Sequence, residues 1–254
     1  MTTARVPVAA TSFEELRTPG ASLVITLIFT GVALVENTLL PWAPFFFAYI
    51  WLTTVLPIGV GGYTQEGFRS LRRGVWIGII LLPLALLALG VAWFSVVYPK
   101  LLVSSGVAPD LVSTPHYDLG AALQEMFRVA AVRWQTTPGR LQFYYLGVIL
   151  VWAAFGEELF YRGYLYTSLR KSWGVLPAAV MSSALFGARH ATQLGLVGPD
   201  FPWGAALSWA FFSFLAGCAL CWLYEKTKSL TPAILAHYLL NLIPTASALL
   251  TSQG

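Results

Sequence analysis

Seven ionisable or amide side chains interrupt otherwise apolar stretches of this chain. They are Glu157, Glu158 and Arg162 in FGEELFYRGYLY, Arg189 and His190 in FGARH, and His237 and Asn241 in HYLLN. A charged group inside hydrocarbon costs at least about 2.5–3.5 kcal/mol unless it is paired or lines a wet cavity, so each needs a reason. Spacing sorts them: Glu158 and Arg162 stand four apart with the acid first, the favourable order for an ion pair on one helix face. His237 and Asn241 are also four apart and leave their helix in the same direction, as do Phe186 and His190.

A glutamate, two histidines and an amide brought together would suit peptide-bond hydrolysis. A desolvated carboxylate beside a second one can take a proton from water near neutral pH. An imidazole across that water can orient it and shuttle its proton. A second imidazole with an amide can donate hydrogen bonds to the oxyanion of a tetrahedral intermediate. One carboxylate with two imidazoles (Glu157, His190 and His237) is also a zinc ligand set, although the pairing of His237 with an amide suits oxyanion binding better. The chemistry therefore reads as metal-free, with zinc as the alternative cofactor.

Apolar runs long enough for a bilayer core must position these groups. They fall at 22–40, 43–62, 74–98, 141–168, 174–195, 204–224 and 230–250, each near the roughly 20 residues that a span requires. Hydrophobic residues make up 57% of the chain and charged residues 10%, far from the balance of a water-soluble domain. The fold class is all-α: a polytopic membrane bundle of about seven helices, one domain over 1–254 with its catalytic core at 141–250. In the one long connection, 99–140, LGAALQEMFRVAAVRW has helical apolar spacing and is expected to lie along the membrane surface. Counting 1.5 Å per residue from the inner helix ends places Glu157 about 18 Å deep, His237 about 12 Å, Asn241 about 18 Å and His190 about 24 Å. His190 comes level with the rest only if the fifth helix tilts.

Lysine and arginine set the orientation. With the N-terminus inside, nine of fifteen lie in inner segments (Arg5, Arg17, Arg69, Arg72, Arg73, Arg170, Lys171, Lys226 and Lys228), and the outer cations are confined to the long loop. The expected location is the cell inner membrane, multi-pass, with a cytoplasmic N-terminus. The net charge of +4 calls for no nucleic-acid partner, because these cations sit where topology and anionic headgroups favour them. Cys218 and Cys221 read as small buried apolar residues. His116, in STPHYD, reads as solvated, and Arg189 as reaching an outer headgroup.

The three patterns EExxxR (Glu157, Glu158, Arg162), FxxxH (Phe186, His190) and HxxxN (His237, Asn241), in this order on successive helices, resemble the CPBP intramembrane protease family. That family includes the type II CAAX prenyl endopeptidases and bacterial Abi-like proteins. The resemblance covers about 141–250 and implies an intramembrane endopeptidase of glutamate type, with a metalloprotease as the other label given to relatives. It implies Glu157 as base, His190 as its partner at the water, and His237 with Asn241 as the oxyanion site. Glu158 and Arg162 would hold the helix and tune Glu157, with Phe186 supporting. The implied partner is a protein or peptide with a membrane-proximal C-terminal tail, in addition to the bilayer. The short loops and compact size look bacterial, which favours a peptide precursor or sorting tail over a prenylated one. The rival reading is a non-catalytic membrane protein, either of bacteriocin-immunity type or a transporter with a proton relay. HExxH, GxSG and GxGD, the cues of other intramembrane proteases, are absent.

Overall fold

The computed structural model describes residues 15–39, 51–59, 73–133, 135–137, 139–143, 152–194 and 201–251. Every regular element among them is helical: α1 (Pro19–Leu39), α2 (51–59), α3 (73–104), α4 (Leu119–Arg133), α5 (152–173), α6 (Val175–Thr192), α7 (Trp203–Thr227) and α8 (Leu230–Thr251). The elements follow the apolar runs read from the sequence, and α4 occupies the segment expected to form a surface helix. Of the second and fourth expected spans, residues 43–50, 60–62 and 144–151 lie outside the described residues.

Two helices, Val75–Ser104 and Trp203–Thr227, are long and apolar enough by themselves to cross a bilayer; Pro19–Leu34 and Leu230–Leu242 are shorter apolar helices. The burial pattern explains why α5 is not among them. In α5 Glu157, Glu158 and Arg162 are at most 2% exposed, whereas Ile77, Val91 and Leu207 on the outer helices are more than 60% exposed. Charged side chains lie inside the bundle and large apolar ones face outward. Water would penalise that arrangement and a hydrocarbon solvent favours it.

Small residues let the central helices approach closely, as lipid-embedded interfaces require. On α6, Ser183 and Gly187 stand one turn apart and face α7: a Cβ at Gly187 would lie 2.5 Å from the Ala210 carbonyl oxygen, and one at Gly217 would lie 2.9 Å from Ser183 Cβ. Helices α5 and α6 are separated by Gly174 alone, at a φ of 81°, a backbone setting that glycine adopts without strain. On the other side, a Cβ at Gly156 would meet Thr53 Oγ1 at 2.8 Å, so α2 packs directly beside the residue before Glu157.

Hydrogen bonding along α5 is not uniform. Ala154–Glu158 is α-helical and Leu159–Tyr166 is π-helical. Wide turns of this kind are rare and concentrate at functional sites. Helix α3 and the loop before α4 are both stitched to α7: Tyr98 of α3 donates through its hydroxyl to the Gly204 carbonyl at 2.7 Å, and the Ala205 amide donates to the His116 carbonyl of the loop at 2.9 Å. Asp118 caps α4 through Oδ1, which accepts from the Ala121 amide at 2.7 Å. Ala122 then packs on Leu194, Ala205 and Ala206.

Because the Gly187 contact is with backbone, which cannot swing aside, Gly187→Ala should separate α6 from α7 at a cost of about 1–3 kcal/mol. The expected result is a clearly lowered unfolding temperature in detergent. A wild-type melting curve would refute the packing argument.

Candidate active site

The three patterns meet in one layer. Glu157 and Glu158 come from the α-helical turn of α5, Arg162 from its π segment, Phe186 and His190 from α6, and His237 from α8. All are buried, His190 being the most exposed at 8%. The Nε2 atoms of His190 and His237 lie 3.9 and 3.8 Å from the same oxygen, Glu157 Oε2. The two histidines are thus level with the glutamate despite their different counts from the helix ends.

Each imidazole is oriented by its other nitrogen. His190 Nδ1 lies 2.9 Å from the Phe186 carbonyl, and since a carbonyl only accepts, Nδ1 carries the hydrogen. His237 Nδ1 donates likewise to Glu158 Oε1 at 2.8 Å. In the neutral rings both Nε2 atoms therefore present lone pairs. Two imidazole lone pairs and a carboxylate oxygen converge at separations that one water, with two hydrogens to donate, can bridge.

Glu158 does more than the sequence reading gave it. Its Oε1 accepts from Arg162 Nη1 at 2.8 Å as well as from His237. It is therefore an orienting partner of His237, where the sequence suggested only a pairing with Arg162 and a tuning of Glu157. Arg162 extends the network: Nη2 donates to the Gly217 carbonyl at 3.1 Å, and its Cζ sits 4.5 Å over the Phe186 ring. That ring is the hub of the layer, 4.3 Å from the His190 ring, 5.8 Å from that of His237 and 5.1 Å from that of Tyr161. Asn241 lies one turn beyond His237 on α8 and is half-buried.

Trp209 was not singled out by the sequence. Its ring stands edge-on to His190 at 5.6 Å, and its Nε1 donates to Gln193 Oε1 at 3.3 Å. Its only sequence signal is a tryptophan inside an apolar helix, which the outer ends of membrane helices supply routinely. Arg189 also departs from expectation: it is 6% exposed and its Cζ lies 5.7 Å over the Phe29 ring of α1, so it turns inward and does not reach a headgroup. Cys221 is buried and accepts from the Ser183 hydroxyl at 3.8 Å.

Zinc was the alternative cofactor. Two imidazoles and a carboxylate are a suitable donor set, but bonds of about 2.0–2.1 Å in a tetrahedral site place ligand atoms about 3.3 Å apart. The separations here are longer, and among the described residues no group of three His, Cys, Asp or Glu side chains meets the geometry for holding a metal.

Residues 139–243 match the type II CAAX prenyl endopeptidase Rce1-like family, a segment that contains all three patterns. The match agrees with the CPBP resemblance read from those residues, and the apolar helices are those of a membrane protein. No curated protein and no solved structure gives a match.

The buried ion pair yields a stability prediction. Arg162→Met strands the Glu158 carboxylate in the interior and should cost about 3–5 kcal/mol. Adding Glu158→Gln should recover part of that loss, as read by thermal unfolding of the single and double variants. Simple additivity would show that the two side chains do not act as a pair.

Proposed function

We propose that the chain is an intramembrane endopeptidase in which Glu157 activates a water held between His190 and His237. The observation that supports this reading is that the Nε2 atoms of His190 and His237 both lie within 3.9 Å of the same Glu157 oxygen in a buried layer. A proton relay needs titratable groups but has no need of the Asn241 amide one turn from His237.

In this mechanism a water donates one hydrogen to Glu157 and the other to His190 Nε2. Glu157 takes the first proton as the water oxygen bonds to the scissile carbonyl carbon, and the carbonyl oxygen becomes an oxyanion. The Asn241 amide donates to that oxyanion. The proton passes from Glu157 to His237 Nε2, so the imidazolium donates in turn and delivers the proton to the leaving nitrogen as the C–N bond breaks. Glu158 keeps His237 in the one tautomer and ring orientation that can receive a proton at Nε2. The reading assigns Glu157, His190, His237 and Asn241 to the chemistry, with Glu158, Arg162 and Phe186 positioning them.

The substrate is a membrane-associated protein or peptide cut near its C-terminus, since the layer lies inside an apolar shell that a tail reaches along the bilayer. The chain crosses the inner membrane about seven times with its N-terminus in the cytoplasm. α2, α5 and α6 add to the four apolar helices to give the seven spans of this reading.

Reconstituted in liposomes, the protein should cleave at least one of three fluorogenic peptides: one with a prenylated Cys-aliphatic-aliphatic-X tail, one with the same tail unprenylated, and one with an apolar C-terminal anchor. Glu157→Gln should lower kcat by about 10²-fold or more, and 1,10-phenanthroline should leave the wild-type rate unchanged. Wild-type activity in Glu157→Gln would remove Glu157 as base, and chelator loss restored by zinc would replace the glutamate mechanism with a metal one. Cleavage of none of the peptides would favour the non-catalytic alternative. For topology, Ser172→Cys, in the exposed α5–α6 turn beside Arg170 and Lys171, should react with an impermeant maleimide only after cells are opened; labelling of intact cells would invert the orientation.

A further inference from the structure

An inventory of donors and acceptors exposes a shortage. Glu157 Oε2 and both Nε2 atoms can only accept until a proton moves, and the Asn241 amide is the one donor that the mechanism supplies when the carbonyl oxygen first becomes negative. Oxyanion sites hold that charge with preorganised donors already in place before bond formation.

Tyr161 has the missing group. Its side chain is completely buried, and its hydroxyl has no hydrogen-bond partner among the described residues. A buried hydroxyl without a partner is unusual and calls for an explanation. Position points to one: Tyr161 follows Glu157 by four residues in α5, and its ring packs edge-on against Phe186 at 5.1 Å. Phe186 is the same ring against which His190 and His237 pack. The backbone there is fixed, because the Tyr161 carbonyl accepts from the Ser182 hydroxyl of α6 at 2.8 Å. The ring packs edge-on against Phe160 as well as Phe186, and its polar tip lacks a partner among the described residues.

Resting on the endopeptidase reading, we infer that Tyr161 is a further catalytic residue whose hydroxyl donates a hydrogen bond to the scissile carbonyl oxygen and holds it as that oxygen becomes an oxyanion. The bond needs no proton transfer: the phenol keeps its hydrogen, and the negative charge is relieved when the carbonyl re-forms and the amine leaves. Tyr161 thus supplies, from the start of the attack, a donor that His237 supplies only after it is protonated.

The test is Tyr161→Phe, which removes one oxygen and leaves the packed ring. With the fastest-cleaved of the three peptides, kcat should fall about 10²-fold while KM stays within about twofold. A phosphonate analogue of that peptide, which carries the oxyanion, should lose affinity by a similar factor, and an uncleavable N-methyl analogue should bind as before. The unfolding temperature should hold or rise, because the deleted hydroxyl satisfies no protein group. An unchanged kcat would overturn the inference, as would equal weakening of both analogues with a lowered unfolding temperature, which marks a structural role. An acid-limb shift in the pH profile of kcat/KM would also overturn it, by placing the hydrogen bond on Glu157. Glu157→Gln run in parallel separates the two claims. If that variant is inactive while Tyr161→Phe is fully active, only the tyrosine assignment fails; if Glu157→Gln is active, the underlying mechanism fails.

Discussion

One carboxylate oxygen, Glu158 Oε1, accepts from a guanidinium of its own helix and from an imidazole of α8, and the site geometry depends on that shared contact. A guanidinium or a carboxylate alone in this interior would be expelled or neutralised, since each unpaired ion costs several kcal/mol. Together they are tolerated, and Arg162 turns Nη2 and its face to the other helices: the Gly217 carbonyl of α7 and the Phe186 ring of α6. The pair thus joins four helices at one depth. It also sets chemistry, because an imidazole that gives its Nδ1 hydrogen to Glu158 must turn Nε2 toward Glu157. Orientation of the reactive ring and cohesion of the bundle come from the same few atoms.

The backbone of α5 is adapted to this load. Glu157 and Glu158 end its α-helical turn and the wide π segment begins at Leu159. The π segment carries Tyr161 and Arg162, whose partners are on α6 and α7: the Tyr161 carbonyl accepts from Ser182 and Arg162 donates to the Gly217 carbonyl. Widening one stretch of helix is therefore a local means of crowding charged and aromatic groups into one layer while main-chain groups still find partners.

The sequence disclosed the helices and the site motifs readily, because apolar runs and four-residue spacings are direct imprints of helix geometry. Helix α4, the buried Glu158–Arg162 pair and the stacking of Phe186 on His190 were all legible in that way. What could not be read were relations between helices. That Glu158 serves His237 requires knowing how α5 faces α8, and that Arg189 turns inward requires knowing that Phe29 of α1 lies beside it. Tyr161 was hidden for a different reason: a tyrosine in an apolar helix is ordinary, and only the missing partner of its hydroxyl, a property of the folded chain, distinguishes it. The depth count failed to place His190 level for want of the same information, since helix tilt is set by packing neighbours.

The match to residues 139–243 covers the motifs but not everything that keeps them dry. A helix carrying Glu157, Glu158 and Arg162 cannot face acyl chains, so α5 must be enclosed by other helices, and much of the enclosure comes from residues that precede the matched segment. Phe29 of α1 packs on Phe160 at 5.2 Å, the Leu16 carbonyl accepts from the Tyr164 hydroxyl, and Thr53 of α2 closes over Gly156, where no side chain would fit. None of these contacts requires a recognisable motif, only apolar surface, small residues and a few matched polar atoms. The first part of the chain therefore meets its physical demand, shielding the glutamate layer from acyl chains, by packing alone.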